Sequence, residues 1–234
     1  MRCARRVAIS ALFCNFFLYS SSFELWTLGA ITKEVDRHIS YNIDEGFRFR
    51  ENHGFFYNYT ESELALHVGN ETEELSFGFG YRFGFQNIEQ EREIEQEEGK
   101  EKKTEKCGYK WYTEFRPIVN LYLQKIKNRS AFLYRLRVEC LDRRCLESRS
   151  RFRNKLTLEV FLKNSEPVVS SYVSGEVFYS FENKEVNQGR IYVGFVAQLK
   201  DCLEFGVHYL WKRLKKEGTF KTIRVAGLSM HVLL

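Results

Sequence analysis

Proline and long apolar runs are both scarce in this chain. Two prolines and fifteen glycines in 234 residues argue against a protein built from linkers. The one long apolar run is Val7–Tyr19, so we predict no transmembrane anchor in the body of the protein. The length suits a single large domain, with or without an N-terminal arm.

Residue patterns typical of catalysis and metal binding are also missing. Gly227–His231 resembles a nucleophile elbow, but its fifth residue is histidine instead of glycine. No two histidines have the spacing of a metal-hydrolase motif. The five histidines are His38, His53, His67, His208 and His231. We therefore predict no catalytic, cofactor-binding or metal-binding residues, and an enzyme of unknown type is only the third interpretation.

Charge of one sign does not dominate. The chain has 36 Lys and Arg against 31 Asp and Glu, a net charge of +5, which does not favour nucleic acid as a partner. The charges lie in blocks, with Glu89–Glu105 mostly acidic. A basic region further along is the candidate for an anionic partner: Arg135, Arg137, Arg143, Arg144, Arg149, Arg151 and Arg153.

Large apolar residues are abundant, and they recur at every second position. Ser76–Phe85 places five aromatic residues on one parity, and Leu203–Trp211 alternates in the same way. A period of two predicts strands with one buried face. The same parity places Trp111, Phe195 and Trp211 in a core.

Many such segments follow one another without a clear helical pattern, which predicts an all-β protein and an antiparallel β-sandwich over residues 75–234. Residues 23–74 form either an N-terminal arm or additional strands. The charged stretch near 89–106 is expected to be a short exposed helix or a solvated loop. Within Ser76–Phe85 the glycines Gly78, Gly80 and Gly84 lie opposite the aromatic face, where they either admit a close backbone neighbour or relieve crowding at a bulge.

The N-terminus has the layout of a secretory signal peptide. Arg2, Arg5 and Arg6 precede the apolar run, and small residues follow it at Ser20–Ser22. Residues 1–22 are therefore expected to be either a cleaved signal peptide or an uncleaved hydrophobic segment. A cleaved signal peptide predicts a secreted protein, whereas an uncleaved segment is compatible with a cytoplasmic one.

Cysteines and glycosylation sequons also indicate the compartment in which the protein folds. Cys140 and Cys145 enclose a four-residue polar loop and are the candidate disulfide of an oxidising compartment. Glycosylation is predicted at three asparagines that begin Asn-x-Ser/Thr triplets, namely Asn58, Asn70 and Asn128.

Several short motifs together resemble the MATH domain, the TRAF-like sandwich shared with meprins. They are Phe83–Ile88, Gly108–Trp111, Val119–Leu123 and Phe181–Glu185, within a resemblance that covers about residues 75–215. The acidic pair that usually precedes the closing strand of that family is absent. The resemblance implies eight antiparallel strands and a shallow groove for extended peptides, and it assigns no groove residue here.

The interpretation that follows is a non-enzymatic, MATH-like adaptor that binds a protein or an extended peptide through a sheet edge. Phe55, Phe56 and Tyr57 are consecutive, so they cannot all face inward, and they are the exposed aromatic candidates for that surface. The alternative is a secreted, disulfide-stabilised glycoprotein that recognises an anionic surface or a glycan through its arginine cluster.

Overall fold

The computed structural model describes residues 23–51, 54–70, 72–94, 103–143, 149–163, 168–200, 202–216 and 218–234. The signal-peptide segment 1–22 lies outside these residues. The strands are β1 (Phe23–Asp36), β2 (Ile39–Arg50), β3 (Gly54–Gly69), β4 (Glu73–Ile94), β5 (Lys103–Lys127), β6 (Ser130–Arg143), β7 (Arg149–Lys163), β8 (Val168–Ser180), β9 (Glu185–Lys200), β10 (Leu203–Lys216) and β11 (Thr219–Leu233). Within the described ranges, no helix has the length and apolar character needed to cross a lipid bilayer.

The eleven strands follow one another around a closed barrel. Consecutive strands pair antiparallel, whereas β1 and β11 pair in parallel from Phe23 opposite Arg224 to Thr32 opposite Leu233. Because consecutive strands alternate in direction, the first and the last strand run in the same direction when the number of strands is odd. The predicted sandwich is therefore wrong, because one sheet closes on itself and leaves none of the described strands with a free edge.

The first fifty residues of the described chain belong to this barrel. Residues 23–74 supply β1, β2, β3 and the first residues of β4. These strands join the same sheet as the rest.

The longest hairpin replaces the predicted charged loop or helix near 89–106. β4 and β5 pair from Glu73 opposite Lys125 to Ile94 opposite Lys103. Strand structure therefore continues into both sides of the charged stretch, and only residues 95–102 between the two strands lie outside the described chain.

The apolar faces of the strands point away from the barrel axis. Trp111 and Phe195 are each 47% exposed, and Trp211 is 36% exposed. Their prediction as core residues is wrong. Period two correctly groups them on one face, but that face is the outer wall, and the opposite face lines the lumen.

Candidate functional site in the barrel lumen

The lumen is lined by charged side chains from the parity opposite the aromatics. Buried carboxylates include Glu61 on β3, Glu139 on β6 and Glu176 on β8, all at most 3% exposed. Since a buried carboxylate is costly unless it is paired, the arginines on the neighbouring strands determine what these groups can do.

Glu61 is held between two guanidinium groups. Arg82 on the adjacent β4 donates to its Oε2 through Nε at 2.8 Å. Arg137, on β6, donates to Oε1 at 2.6 Å and to Oε2 at 3.1 Å. Arg137 also donates to Asn120 Oδ1 at 2.7 Å. One carboxylate therefore links β3 to β4 and to β6, across the lumen instead of along the sheet.

Glu139 has the largest number of cationic partners. Arg116 donates to its Oε2 at 3.0 Å, and Arg151 approaches the same oxygen at 2.6 Å. Arg153 donates to the other oxygen, Oε1, while Arg137 lies 3.8 Å from it. Both carboxylate oxygens are thus saturated by arginines from β5, β6 and β7.

Glu176 continues the network on the far side of Arg153. Arg153 and Arg135 reach its Oε1 at 2.7 and 3.1 Å, and Arg190 reaches Oε2 at 3.3 Å. The hydroxyl of Tyr192 donates to the same Oε2 at 3.0 Å. We call Glu61, Glu139 and Glu176 with their arginine partners the ion-pair layer, since together they cross the lumen at mid-height.

Cavities lie on both sides of this layer. One, of about 470 Å³, is lined by Trp26, Arg48 and Lys212 among others, and we call it the cationic cavity. A second, of about 420 Å³, is lined by Ser40 and Thr157, by the imidazoles of His67 and His231, and by the carboxylates of Glu63 and Glu74 among others. Asp44, Arg135 and Lys155 line both cavities. The two ends of the lumen therefore differ in charge.

The indole of Trp26 is the centre of the cationic cavity. The guanidinium carbon of Arg48 lies 4.1 Å from the ring centroid, that of Arg190 lies 5.2 Å away, and the Lys212 Nζ lies 5.8 Å away. The indole Nε1 donates to Glu24 Oε2 at 3.0 Å. The negative face of the ring reduces the repulsion among these cations. We call Arg48, Arg190 and Lys212 the Trp26 cluster.

Inward-facing glycines make room for these large side chains. A Cβ at Gly46 would overlap the ring of Tyr59, and one at Gly227 would overlap the imidazole of His208. At Gly78 the same position is filled by Glu63. At Gly78 the close neighbour is therefore a lumen side chain of the adjacent strand instead of backbone, whereas at Gly80 it is the backbone oxygen of Ser62.

The predicted arginine cluster divides between lumen and surface. Arg135, Arg137, Arg151 and Arg153 point inward and belong to the ion-pair layer. Arg149 is exposed at the start of β7. The side chain of Arg143 and all of Arg144 lie outside the described residues. Most of the cluster is therefore engaged inside the barrel, and the prediction that it recognises an anionic surface or a glycan is wrong.

The consecutive aromatics also separate. Phe55 is 37% exposed on the outer wall, whereas Phe56 and Tyr57 are 8% and 3% exposed. Two neighbours face the lumen because the β2–β3 register shifts between Arg48 and Phe49. Inside, Tyr57 donates to Glu114 Oε1 at 2.5 Å. Without a free sheet edge, the predicted adaptor surface for an extended peptide is not formed.

The three sequon asparagines lie in different settings. Asn58 is in β3 and its Nδ2 donates to Glu45 Oε1 at 3.3 Å. Asn70 accepts from the amides of Thr72 and Glu73, each at 2.9 Å, in the β3–β4 turn. Asn128 has a φ of 56° in the β5–β6 turn. Glycosylation at these positions stays a prediction.

The cysteines give no disulfide among the described residues. Cys140 and Cys202 are free thiols, and Cys140 Sγ lies 3.7 Å from Ser150 Oγ. Cys145, the partner predicted for Cys140, lies outside the described residues, so that pairing stays a prediction. The expectation of a disulfide-stabilised fold is corrected for the described chain, where the closed ladder of strands holds the structure.

Two carboxylates at the strand ends have lowered pKa values. The backbone N–H of Ser150 donates to Glu182 in the β8–β9 turn, and this bond lowers the pKa of that carboxyl. A hydrogen bond from Lys125, whose Nζ is 2.5 Å from Glu73 Oε1, lowers the pKa of Glu73. No group of three or more His, Cys, Asp or Glu side chains in the described ranges is arranged to hold a metal ion.

Comparison with known proteins gives a family and a distant structural likeness. Nothing among curated proteins matches the chain. Among solved structures it is similar to OmpT (in-vitro folded), an outer membrane protein of Vibrio cholerae, with a TM-score of 0.32 and 5% identity over 82% of this chain and 81% of that one. The MATH resemblance is wrong, because the family model that matches residues 23–223 is a different one and the sheet is a closed barrel. The chain belongs to the family described as protein of unknown function (DUF2490).

Proposed function

We propose that the protein is an integral membrane β-barrel of a cell envelope, with its outer wall in lipid and its lumen as a polar compartment. The observation that carries this proposal is the distribution of polarity across the sheet: apolar residues point out and charged residues point in. Barrels in membranes alternate in this sense, whereas small soluble barrels place their apolar residues inside.

The apolar outer wall extends around the whole circumference. All eleven strands contribute at least one large apolar side chain that is more than a third exposed, from Ile31 on β1 and Phe79 on β4 to Met230 on β11. Soluble monomers rarely expose contiguous apolar patches beyond a few hundred Å². A hydrocarbon environment removes the penalty for such a surface.

One end of the wall carries an aromatic group of the kind that lies at membrane interfaces. The ring centroids of Phe49 and Trp111 are each 5.6 Å from that of Phe55, and Phe47 is 6.2 Å from it. Aromatic girdles flank the apolar band of membrane barrels. This group lies next to the β2–β3 turn, where the barrel would leave the hydrocarbon.

Several outward-facing polar side chains on β2 and β3 have hydrogen-bond partners within the wall. Glu45 accepts from Thr60 Oγ1 at 2.5 Å and from Asn58 Nδ2 at 3.3 Å. The Tyr41 hydroxyl is 2.7 Å from Ser62 Oγ. Closure of the barrel similarly pairs the backbone groups of every strand, which lipid requires.

The ion-pair layer makes this a barrel with a blocked lumen instead of an open pore. Arg137 and Glu139 at its centre are only 3% and 1% exposed. Arginines of the layer line the cationic cavity, and one of them, Arg135, also lines the second cavity. The proposed protein therefore holds polar solutes in its lumen and does not let them pass freely. The signal-like residues 1–22 fit delivery through a secretory route.

Membrane extraction tests the proposal. After expression with its N-terminal segment, we expect the protein to stay in the membrane pellet through an alkaline carbonate wash and to be released by detergent. Unboiled samples should migrate differently from boiled ones on electrophoresis, because a closed barrel resists unfolding by the detergent. A monodisperse protein that needs no detergent would refute membrane insertion.

A matched pair of cysteine variants locates the lipid-facing wall. Leu64 points outward and is 46% exposed, while its neighbour Ala65 points inward and is 8% exposed. In a background lacking native cysteines, Leu64→Cys should react with a lipid-soluble maleimide in vesicles, and Ala65→Cys should not. Equal reactivity of both positions would contradict the proposed orientation.

A further inference from the structure

We infer that the cationic cavity is a binding site for a small phosphate-class oxyanion, which is held by the Trp26 cluster. This inference rests on the proposed function in one respect, since it uses the lumen as a solute compartment. It adds the chemical class of the solute and the side chains that select it.

The charge balance of the cavity is the first argument. Its wall has eleven cationic side chains: Arg48, Arg50, Arg82, Arg116, Arg135, Arg137, Arg151, Arg153, Lys155, Arg190 and Lys212. Seven carboxylates line it or pair with these cations within the described chain: Glu24, Asp44, Glu61, Glu63, Glu114, Glu139 and Glu176. The ionic network therefore leaves an excess of positive charge that an anion would neutralise.

The excess is located at particular residues. Within the described chain, Arg48 has no carboxylate oxygen within 4.0 Å of its guanidinium, and its contacts are the rings of Trp26, Tyr57 and Tyr59 at 4.1, 4.7 and 5.7 Å. Lys155 likewise contacts the ring of Tyr192, at 4.9 Å, in place of a carboxylate. Aromatic faces hold these cations in position and leave their N–H groups available.

A buried nitrogen without a partner lies in the same wall. The Nε2 of His208 is buried and has no hydrogen-bond partner among the described residues, and its ring centroid is 5.8 Å from that of Tyr192. Native proteins rarely leave such a group unsatisfied. A ligand oxygen or a water carried with it would satisfy this nitrogen.

Geometry favours a polyvalent oxyanion over a halide. Guanidinium groups present parallel N–H donors that match the oxygens of a phosphate. Arg48, Arg190 and Lys212 all lie within 6 Å of a single indole, at 4.1, 5.2 and 5.8 Å. Lys212 is also 3.8 Å from Glu24 and Arg190 is 3.3 Å from Glu176, so an anion beside that ring would be held mainly by Arg48, with the other two cations nearby. A cavity of about 470 Å³ falls in the range of small-molecule sites.

Tryptophan fluorescence provides the test, since the chain has only three tryptophans. Trp111 and Trp211 are on the outer wall, and replacing both by phenylalanine leaves Trp26 as the reporter. The detergent-folded barrel is titrated with inorganic phosphate and, separately, with glycerol 3-phosphate, at constant ionic strength set with chloride. We expect a saturable change in Trp26 emission with at least one of the two, and the tighter one tells whether free phosphate or an organic monoester fits better.

The variant that tests the site is Arg48→Gln. It leaves no carboxylate orphaned, so the barrel should fold, as its heat-modifiable migration will show. Loss of a charge-assisted hydrogen bond should raise the Kd for phosphate about 10-fold or more. Arg149→Gln removes the same charge from an exposed site outside the lumen and should leave the Kd unchanged.

A linear, unsaturable response to both phosphates, or an equal Kd for Arg48→Gln and the parent, would overturn the inference. Neither result depends on whether the protein inserts into vesicles. A barrel that passes the carbonate and maleimide tests but ignores phosphate would retain the proposed function and lose this inference. Phosphate binding by a protein that fails those tests would support this inference and refute the proposed function.

Discussion

Replacing Arg137 by glutamine tests how much the ion-pair layer contributes to stability. The substitution removes the bonds of 2.6 and 3.1 Å to Glu61 and the bond of 2.7 Å to Asn120. Glu61 is then left with Arg82 as its cationic partner in a site where it is 3% exposed. Breaking one side of a buried ion pair typically costs about 3–5 kcal/mol, because the remaining charge stays desolvated. That is a large part of the roughly 5–15 kcal/mol that holds a domain together.

Arg135→Gln is the matched control. Arg135 is 23% exposed in its side chain and makes one bond, of 3.1 Å, to Glu176, which keeps Arg153 at 2.7 Å. This change should cost clearly less than Arg137→Gln, because Glu176 keeps Arg153 and Arg190 as cationic partners. Urea unfolding in detergent, followed by fluorescence, compares the two variants. Equal midpoints would refute the reasoning.

Three further predictions follow from the two faces of the sheet and its turns. Phe79→Arg, on the middle of the outer wall, should lower stability in lipid vesicles by roughly 2–4 kcal/mol, and an unchanged unfolding midpoint there would place this face in water. Gly46→Val should disrupt the barrel because its side chain meets the Tyr59 ring, and adding Tyr59→Ala should restore heat-modifiable migration. Because the pKa of Glu182 is lowered from 4.5, its bond to the Ser150 amide stabilises the turn above that pH and is lost as the pH falls through the lowered value. The protection of the Ser150 amide, measured as its exchange rate relative to the intrinsic rate at the same pH, should therefore fall in acid, and in Glu182→Gln it should be low at both pH values.

The strands could be predicted from the sequence because alternation needs no tertiary information. Ser76–Phe85 lies within β4, and Leu203–Trp211 lies within β10. The period identifies side chains that share a face. It does not tell whether that face meets a protein core or lipid, since both environments select the same apolar residues. The opposite parity holds the missing signal, because Arg135, Arg137 and Glu139 also alternate.

The candidate site could not be predicted, because it depends on register between distant strands. Glu61 and Arg137 are 76 residues apart, and they meet because the curved sheet brings the inward faces of β3 and β6 together, with β4 and β5 between them. Whether the Arg48 guanidinium finds a carboxylate partner in the lumen depends on which side chains the fold places near β2, and the local sequence does not contain that information. Closure itself is absent from the local pattern, since a sandwich and a barrel use the same strands.

The parallel seam between β1 and β11 has a consequence for how this protein is made. Phe23 pairs with Arg224 and Thr32 with Leu233. The β1 strand therefore cannot complete its pairing until β11 has been synthesised. Until β11 is present, β1 and β10 both have unpaired edges, and such edges pair readily with other chains. Contacts of such long sequence separation also form slowly. The nascent chain therefore needs protection from the first strand to the final one, and losing even the last strand would leave an open sheet prone to aggregation.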